Sequence, residues 1–198
     1  MKKIVIALVV SFVVLLADAE VFTFDFTTGS GSVYDFEALT GQITTNGITM
    51  SFEAVVDGGD SGAKLNSGAS YFGINATRTD DDADTLDPGE TITITFSSSI
   101  YTSIELQNIR IGAWTLNPAD SGYYQVGSSG DEVSLVKLNN VVSPVVDVLG
   151  KTLTVKSLTG NGIGFNEITV NVVPEPATMS MIGIIGALAL LVRRRFCA

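Results

Sequence analysis

The chain has no histidine, and its only cysteine, Cys197, is the next-to-last of 198 residues. The first absence removes Ser-His-Asp and Cys-His catalysis, along with the commonest side-chain ligand for zinc, copper and iron. The second leaves everything before residue 197 without a disulfide, so an exported fold has to hold by packing alone or with the help of ions. Basic residues are also scarce. Between Glu20 and Val173 there are 19 Asp and Glu against 6 Lys and Arg, a net charge of −13. Nucleic-acid binding needs the opposite sign to displace counterions from phosphates, and an anionic membrane surface repels such a block. No window of helical length carries a 3.6-residue apolar period.

What is present at the N-terminus is an address. Lys2 and Lys3 precede the apolar run Ile4–Leu16, which is followed by Ala17-Asp18-Ala19. Positive start, short apolar core and small residues at an A-x-A site together read as a secretory signal peptide over 1–19, with signal peptidase cutting before Glu20. At the other end Ala177–Val192 gives 16 uncharged residues before Arg193, Arg194 and Arg195. As a single short hydrophobic helix they reach ~24 Å, against a bilayer core of ~30 Å. The arginines would stay cytoplasmic, leaving the central block on the far side of the membrane. Pro174-Glu175-Pro176 holds the chain extended between the two, because each proline fixes its own φ and keeps its predecessor out of the helical region.

Together "VPEP…MIGIIGALALLVRRR" resembles the PEP-CTERM sorting signal of Gram-negative bacteria. The resemblance covers about 26 of the 198 residues. It implies export, then recognition at the inner membrane by an exosortase, with Pro174, Glu175 and Pro176 as the sorting motif. It further implies a transient membrane anchor at Met179–Val192 and a cytoplasmic stop at Arg193, Arg194 and Arg195. The destination it implies is the cell surface or an extracellular matrix containing exopolysaccharide.

Between the ends the pattern has period two. Val21–Phe26, Ile48–Val56, Glu90–Phe96, Ser103–Ile111, Glu132–Leu138, Thr152–Leu158 and Glu167–Val173 each alternate apolar with polar side chains. Shorter runs at Tyr71–Ile74, Tyr123–Val126 and Ile163–Phe165 add to them, and Gly, Asn, Asp and Ser fill the gaps. Nine or ten short strands predict an all-β ectodomain over 20–173, an antiparallel β-sandwich of jelly-roll-like type. The stretch "DPGETITITFSSSIYTSIELQNIRI" is similar to ectodomains of many PEP-CTERM proteins, a likeness that names no ligand.

Three places carry candidate chemistry. Asp80, Asp82, Asp84 and Asp87 put hard oxygen ligands along one acidic loop, which suits Ca²⁺, although Thr85 replaces the EF-hand glycine and no helices flank the loop. The plainer reading is a solvated acidic loop ending in an Asp-Pro-Gly turn. Asp57 and Asp60 stand in a neighbouring candidate loop. Trp114, Tyr123 and Tyr124 offer flat rings for a pyranose, or else cap the end of the core. Glu53, Glu105 and Glu167 each fall on the polar face of a strand, where a hydrolase would need two carboxylates ~5–9.5 Å apart. The expected role is a non-catalytic structural, adhesive or exopolysaccharide-binding module, with no enzyme activity and no nucleic acid partner. The competing expectation is a secreted polysaccharide hydrolase using a carboxylate pair.

Overall fold

The computed structural model describes residues 19–27, 33–34, 36, 38–56, 62–67, 71–75, 85–112, 121–135, 141–142, 145–160 and 162–174. Ala19–Pro174 is one compact unit. Among the described residues it contains strands and no helix: β1 Glu20–Asp25, β2 Thr40–Thr45, β3 Ile48–Val55, β4 Lys64–Ser67, β5 Phe72–Asn75, β6 Thr91–Ser98, β7 Tyr101–Gly112, β8 Ser121–Val126, β9 Val133–Ser134, β10 Val141–Val142, β11 Val146–Asp147, β12 Thr152–Thr159 and β13 Gly164–Pro174.

The strands form two antiparallel sheets. One runs β10-β7-β13-β5-β4, with β1 also on β13 and β11 also on β7. The other runs β2-β3-β6-β12-β8-β9. Four pairings nest inside one another along the chain: β1 with β13, β6 with β12, β7 with β10 and β11, and β8 with β9. The outer and third of these pairs lie in the first sheet, the other two in the second.

Alternation explains why the sheets face each other. In β3, Ile48, Met50, Phe52 and Ala54 are buried, and in β6 Ile92, Ile94 and Phe96, while the intervening Thr, Ser and Glu point away. β7 and β13 supply Ile104, Leu106, Ile109, Ile168, Val170 and Val172 from the opposite side. An aromatic cluster ties the layers together. Phe26 stacks on Phe72 with ring centres 5.3 Å apart, and Phe52 of the second sheet meets Phe72 edge-on at 5.4 Å. Each such pair adds about 0.5–1.5 kcal/mol beyond the area it buries.

The strands expected from period two appear as β1, β3, β5, β6, β7, β8, β12 and β13, with Ile163–Phe165 continuous with β13. Two differences stand out. β2, β4, β10 and β11 were not anticipated, and of Glu132–Leu138 only Val133–Ser134 is a described strand. β2 (TGQITT) has one large apolar residue, Ile43, and at Gly41 a Cβ would meet the Phe36 ring at 2.4 Å. An aromatic ring occupies the place of a side chain there, so the alternation that signals a strand is missing from the letters.

Candidate functional site

The register divides the domain into two ends. β7 starts at Tyr101 opposite Pro174, and β1 starts at Glu20 opposite Val172. The chain therefore enters the sandwich and leaves it at one end. The same end carries the Asn46-Gly47 turn between β2 and β3, whose residues have φ of 51° and 73°, as a two-residue hairpin turn requires. It also carries the Ser98–Tyr101 corner, where the Ser98 hydroxyl donates to the Gly47 carbonyl at 2.8 Å and accepts the amides of Ile100 and Tyr101. Connections here are short and held by hydrogen bonds.

Every sequence-predicted ligand loop springs from the other end. β3 ends there at Val55, opposite Thr91, and β7 ends at Gly112, opposite Gly164. β8 begins there at Ser121, opposite Thr159. Asp57, Asp60, Asp80, Asp82, Asp84 and Trp114 lie outside the described residues, as do Ala17, Glu175, Pro176, Arg193, Arg194 and Arg195.

Asp87 is placed, and it is not a solvated turn residue. Asp87-Pro88-Gly89-Glu90 closes a β-turn by a Glu90 amide to Asp87 carbonyl bond of 2.9 Å, with Gly89 at φ 93°. Proline followed by a left-handed glycine is the type II arrangement. The Glu90 carboxylate returns to accept the Asp87 amide at 2.9 Å, and the Thr85 hydroxyl donates to Asp87 Oδ1 at 3.5 Å. Asp87 and Glu90 are both buried, at 6% and 0% exposure. Glu90 faces inward because it shares the parity of Ile92 and Ile94, and Ser157, directly beyond it on β12, does likewise. The Ser157 hydroxyl is the one buried side-chain group without a hydrogen-bond partner among the described residues. Residue 162 closes over this corner as glycine, because a Cβ there would stand 2.8 Å from Thr85 Oγ1 and 3.0 Å from Asp87 Oδ1. Among the described residues no three acidic or cysteine side chains gather as a metal site.

Tyr123 and Tyr124 part company. They are neighbours on β8, so one faces out and the other in: Tyr124 is 7% exposed and belongs to the core, which removes it as a stacking platform. Tyr123 lies on the outer face of the second sheet, across from Lys156. Burial raises the pKa of both phenols.

The three glutamates do not converge. Glu53 is on the second sheet, whereas Glu105 and Glu167 share the outer face of the first. Glu105 lies opposite Asn171, four positions along β13 from Glu167, about 13 Å at ~3.3 Å per residue. Glu105 is engaged by Gln107 at 2.8 Å and by Asn171 at 3.5 Å. The carboxylate that does face Glu167 is Asp25, in register on β1, with Arg110 on the other side, 3.8 Å from the Glu167 carboxylate. The Thr27 hydroxyl and amide, donating at 2.6 and 2.9 Å, hold the Asp25 pKa below its ordinary value, and Arg110 adds to the effect.

Pro174 lies at the other end of the domain from the sequence-predicted ligand loops. Expected as the start of a free strap, it is instead the last residue of β13, paired with Tyr101 across an irregular step in the register. Residues 172–195 match the family model described as the PEP-CTERM protein-sorting motif, so the chain carries that motif directly at the end of its last strand. Such a motif implies export, processing by an exosortase and sorting toward the cell surface. No curated protein matches the chain. No solved structure matches it either.

Proposed function

We propose that the protein is a non-catalytic, jelly-roll-like surface or matrix module, exported by its N-terminal signal, sorted by an exosortase, and associated with exopolysaccharide through the loop-bearing end of the sandwich. The sorting motif carries this reading. The nested strand pairing supports the jelly-roll description. The clustering of long connections at the end away from the tail supports the binding role, because a rigid scaffold that gathers its loops at one end is the usual platform for recognition. Of its candidate glutamates, the hydrolase alternative finds one facing another carboxylate among the described residues, Glu167 opposite Asp25. Glycoside hydrolysis needs one member of its pair kept protonated. Asp25 is shifted the other way and would serve only as the ionised member of such a pair.

The test is the intact mass of the protein recovered from its native bacterium. The expected species begins at Glu20 and has lost Arg193–Ala198. Because Pro174 is paired within the sheet, its C-terminus falls no earlier than Pro174. A mature species that keeps the arginine cluster would make the tail a permanent anchor and end the sorting reading.

A further inference from the structure

Eight large apolar side chains stand exposed among the described residues, and three of them, Val21, Ile100 and Val173, lie at the end where the chain enters and leaves. Their exposures are 64%, 49% and 40%. Val21 is opposite Asn171 on the outer face of the first sheet, which makes Val173 its diagonal neighbour, within side-chain reach. Ile100 occupies the corner before Tyr101, and Tyr101 is itself opposite Pro174. Val21 and Val173 project from the outer face, and Ile100 leaves half its surface in solvent although its tip lies over Gly47. The covalent structure supplies an occupant. The uncharged run Ala177–Val192 begins three residues beyond Pro174, and those three steps span at most ~11 Å. A bilayer holding that run is therefore tethered to this end by a link of at most ~11 Å.

We infer that Val21, Ile100 and Val173 form a lipid-contacting foot, on which the sandwich rests against the membrane surface while the tail is still attached. The proposal rests on the sorting reading and extends it to the ectodomain. Its lipid is zwitterionic, because the foot contains no basic side chain and Glu20 is exposed beside it. Standing on this end points the ligand loops away from the bilayer. Once the tail is cut, the same three side chains are left uncovered, so the foot acts during sorting.

The tail-bearing chain, exported in a host without an exosortase, is placed in phosphatidylcholine nanodiscs. Each variant carries Cys197→Ser and one of Val21→Cys, Ile100→Cys, Val173→Cys, Val55→Cys or Leu158→Cys, coupled to a polarity-sensitive fluorophore. Val55 and Leu158 are the controls, exposed at the far end. The expected result is a blue shift, with quenching by spin-labelled lipid, at positions 21, 100 and 173 and at neither control. Adding Val21→Asp to the Ile100 probe should abolish its shift. If all five probes stay water-like while the chain remains with the nanodisc, the foot is wrong and the anchor stands. If the chain leaves the nanodisc, the anchor reading fails and takes the foot with it. Probes that become dry only when an exosortase is added would replace the lipid contact by a protein one.

Discussion

The two ends of this sandwich are built differently from the same residue types. At the tail end, turns of two or three residues are fixed by hydrogen bonds to Ser98 and by the Asn46-Gly47 hairpin. At the far end, the connections are long and acidic, and the described part is held by backbone lying against backbone. Gly73 shows the contrast. A Cβ there would stand 2.4 Å from the Thr85 carbonyl carbon, where no flexible group can give way. At Gly47 the corresponding obstacle is the end of the Ile100 side chain. The lesson is that the end free to vary its loops is also anchored by close main-chain contact, so loop chemistry can change without loosening the sheets.

The sharpest way to break this comparison is to fill both glycines. Gly73→Ala should cost roughly 3 kcal/mol or more, since overpacking against main chain forces two strands apart. Gly47→Ala should cost about 1–2 kcal/mol, the penalty of a left-handed backbone for an L-residue. Urea unfolding measures both, and equal losses would remove the distinction between the ends. A smaller effect is expected from calcium. If the acidic loop holds the ion, free Ca²⁺ at ten times its Kd adds about 1.4 kcal/mol, or ~3–6 °C in Tm. Thermal melts with and without EDTA read that difference, and Asp82→Ala should abolish it. Identical melts for the native protein would reduce the far end to solvated loops.

The smallest effect concerns Asp25, on the outer face between the two ends. Its pKa lies below the ordinary 3.8 because Thr27 bonds the ionised form. A depressed folded pKa gives stability that is present above the unfolded value and lost as pH falls through the folded one. Thr27→Val should therefore cost a few tenths of a kcal/mol near neutral pH, the scale of an exposed polar contact. The difference should start to shrink near pH 3.8 and vanish only below the lowered pKa of the folded protein. A difference that persists in acid would assign the loss to packing.

Parity made much of this legible. Ile92, Ile94 and Phe96 alternate with threonines and are buried as read, and by the same count Glu90 had to point inward, a signal available in "GETITITF". It was overshadowed by the Asp-Pro-Gly turn next to it. Parity also separates Tyr123 from Tyr124. Strand partners were not legible, because period two gives a face and never a neighbour. That Glu53 lies on a different sheet from Glu105 and Glu167, and that Asp25 meets Glu167, depend on pairings between residues far apart in sequence. The end of β13 was misjudged for a local reason. A proline usually terminates a strand, but as the last residue its missing amide costs no ladder bond.

The position of β13 also sets a clock. The chain is made from the N-terminus, and β13 is the last strand to appear, yet it lies between β7 on one side and β1 and β5 on the other. Until it arrives, the first sheet is two separate pieces with bare edges, and the oldest strand of the domain has no partner. Pairings that span the whole sequence form slowly and leave edges exposed while they wait. Closure of the first sheet is therefore confined to the interval after β13 has been made. A chain cut short before β13 would be an aggregation hazard in the export compartment, so the completed sorting signal doubles as proof that the sandwich has all its strands.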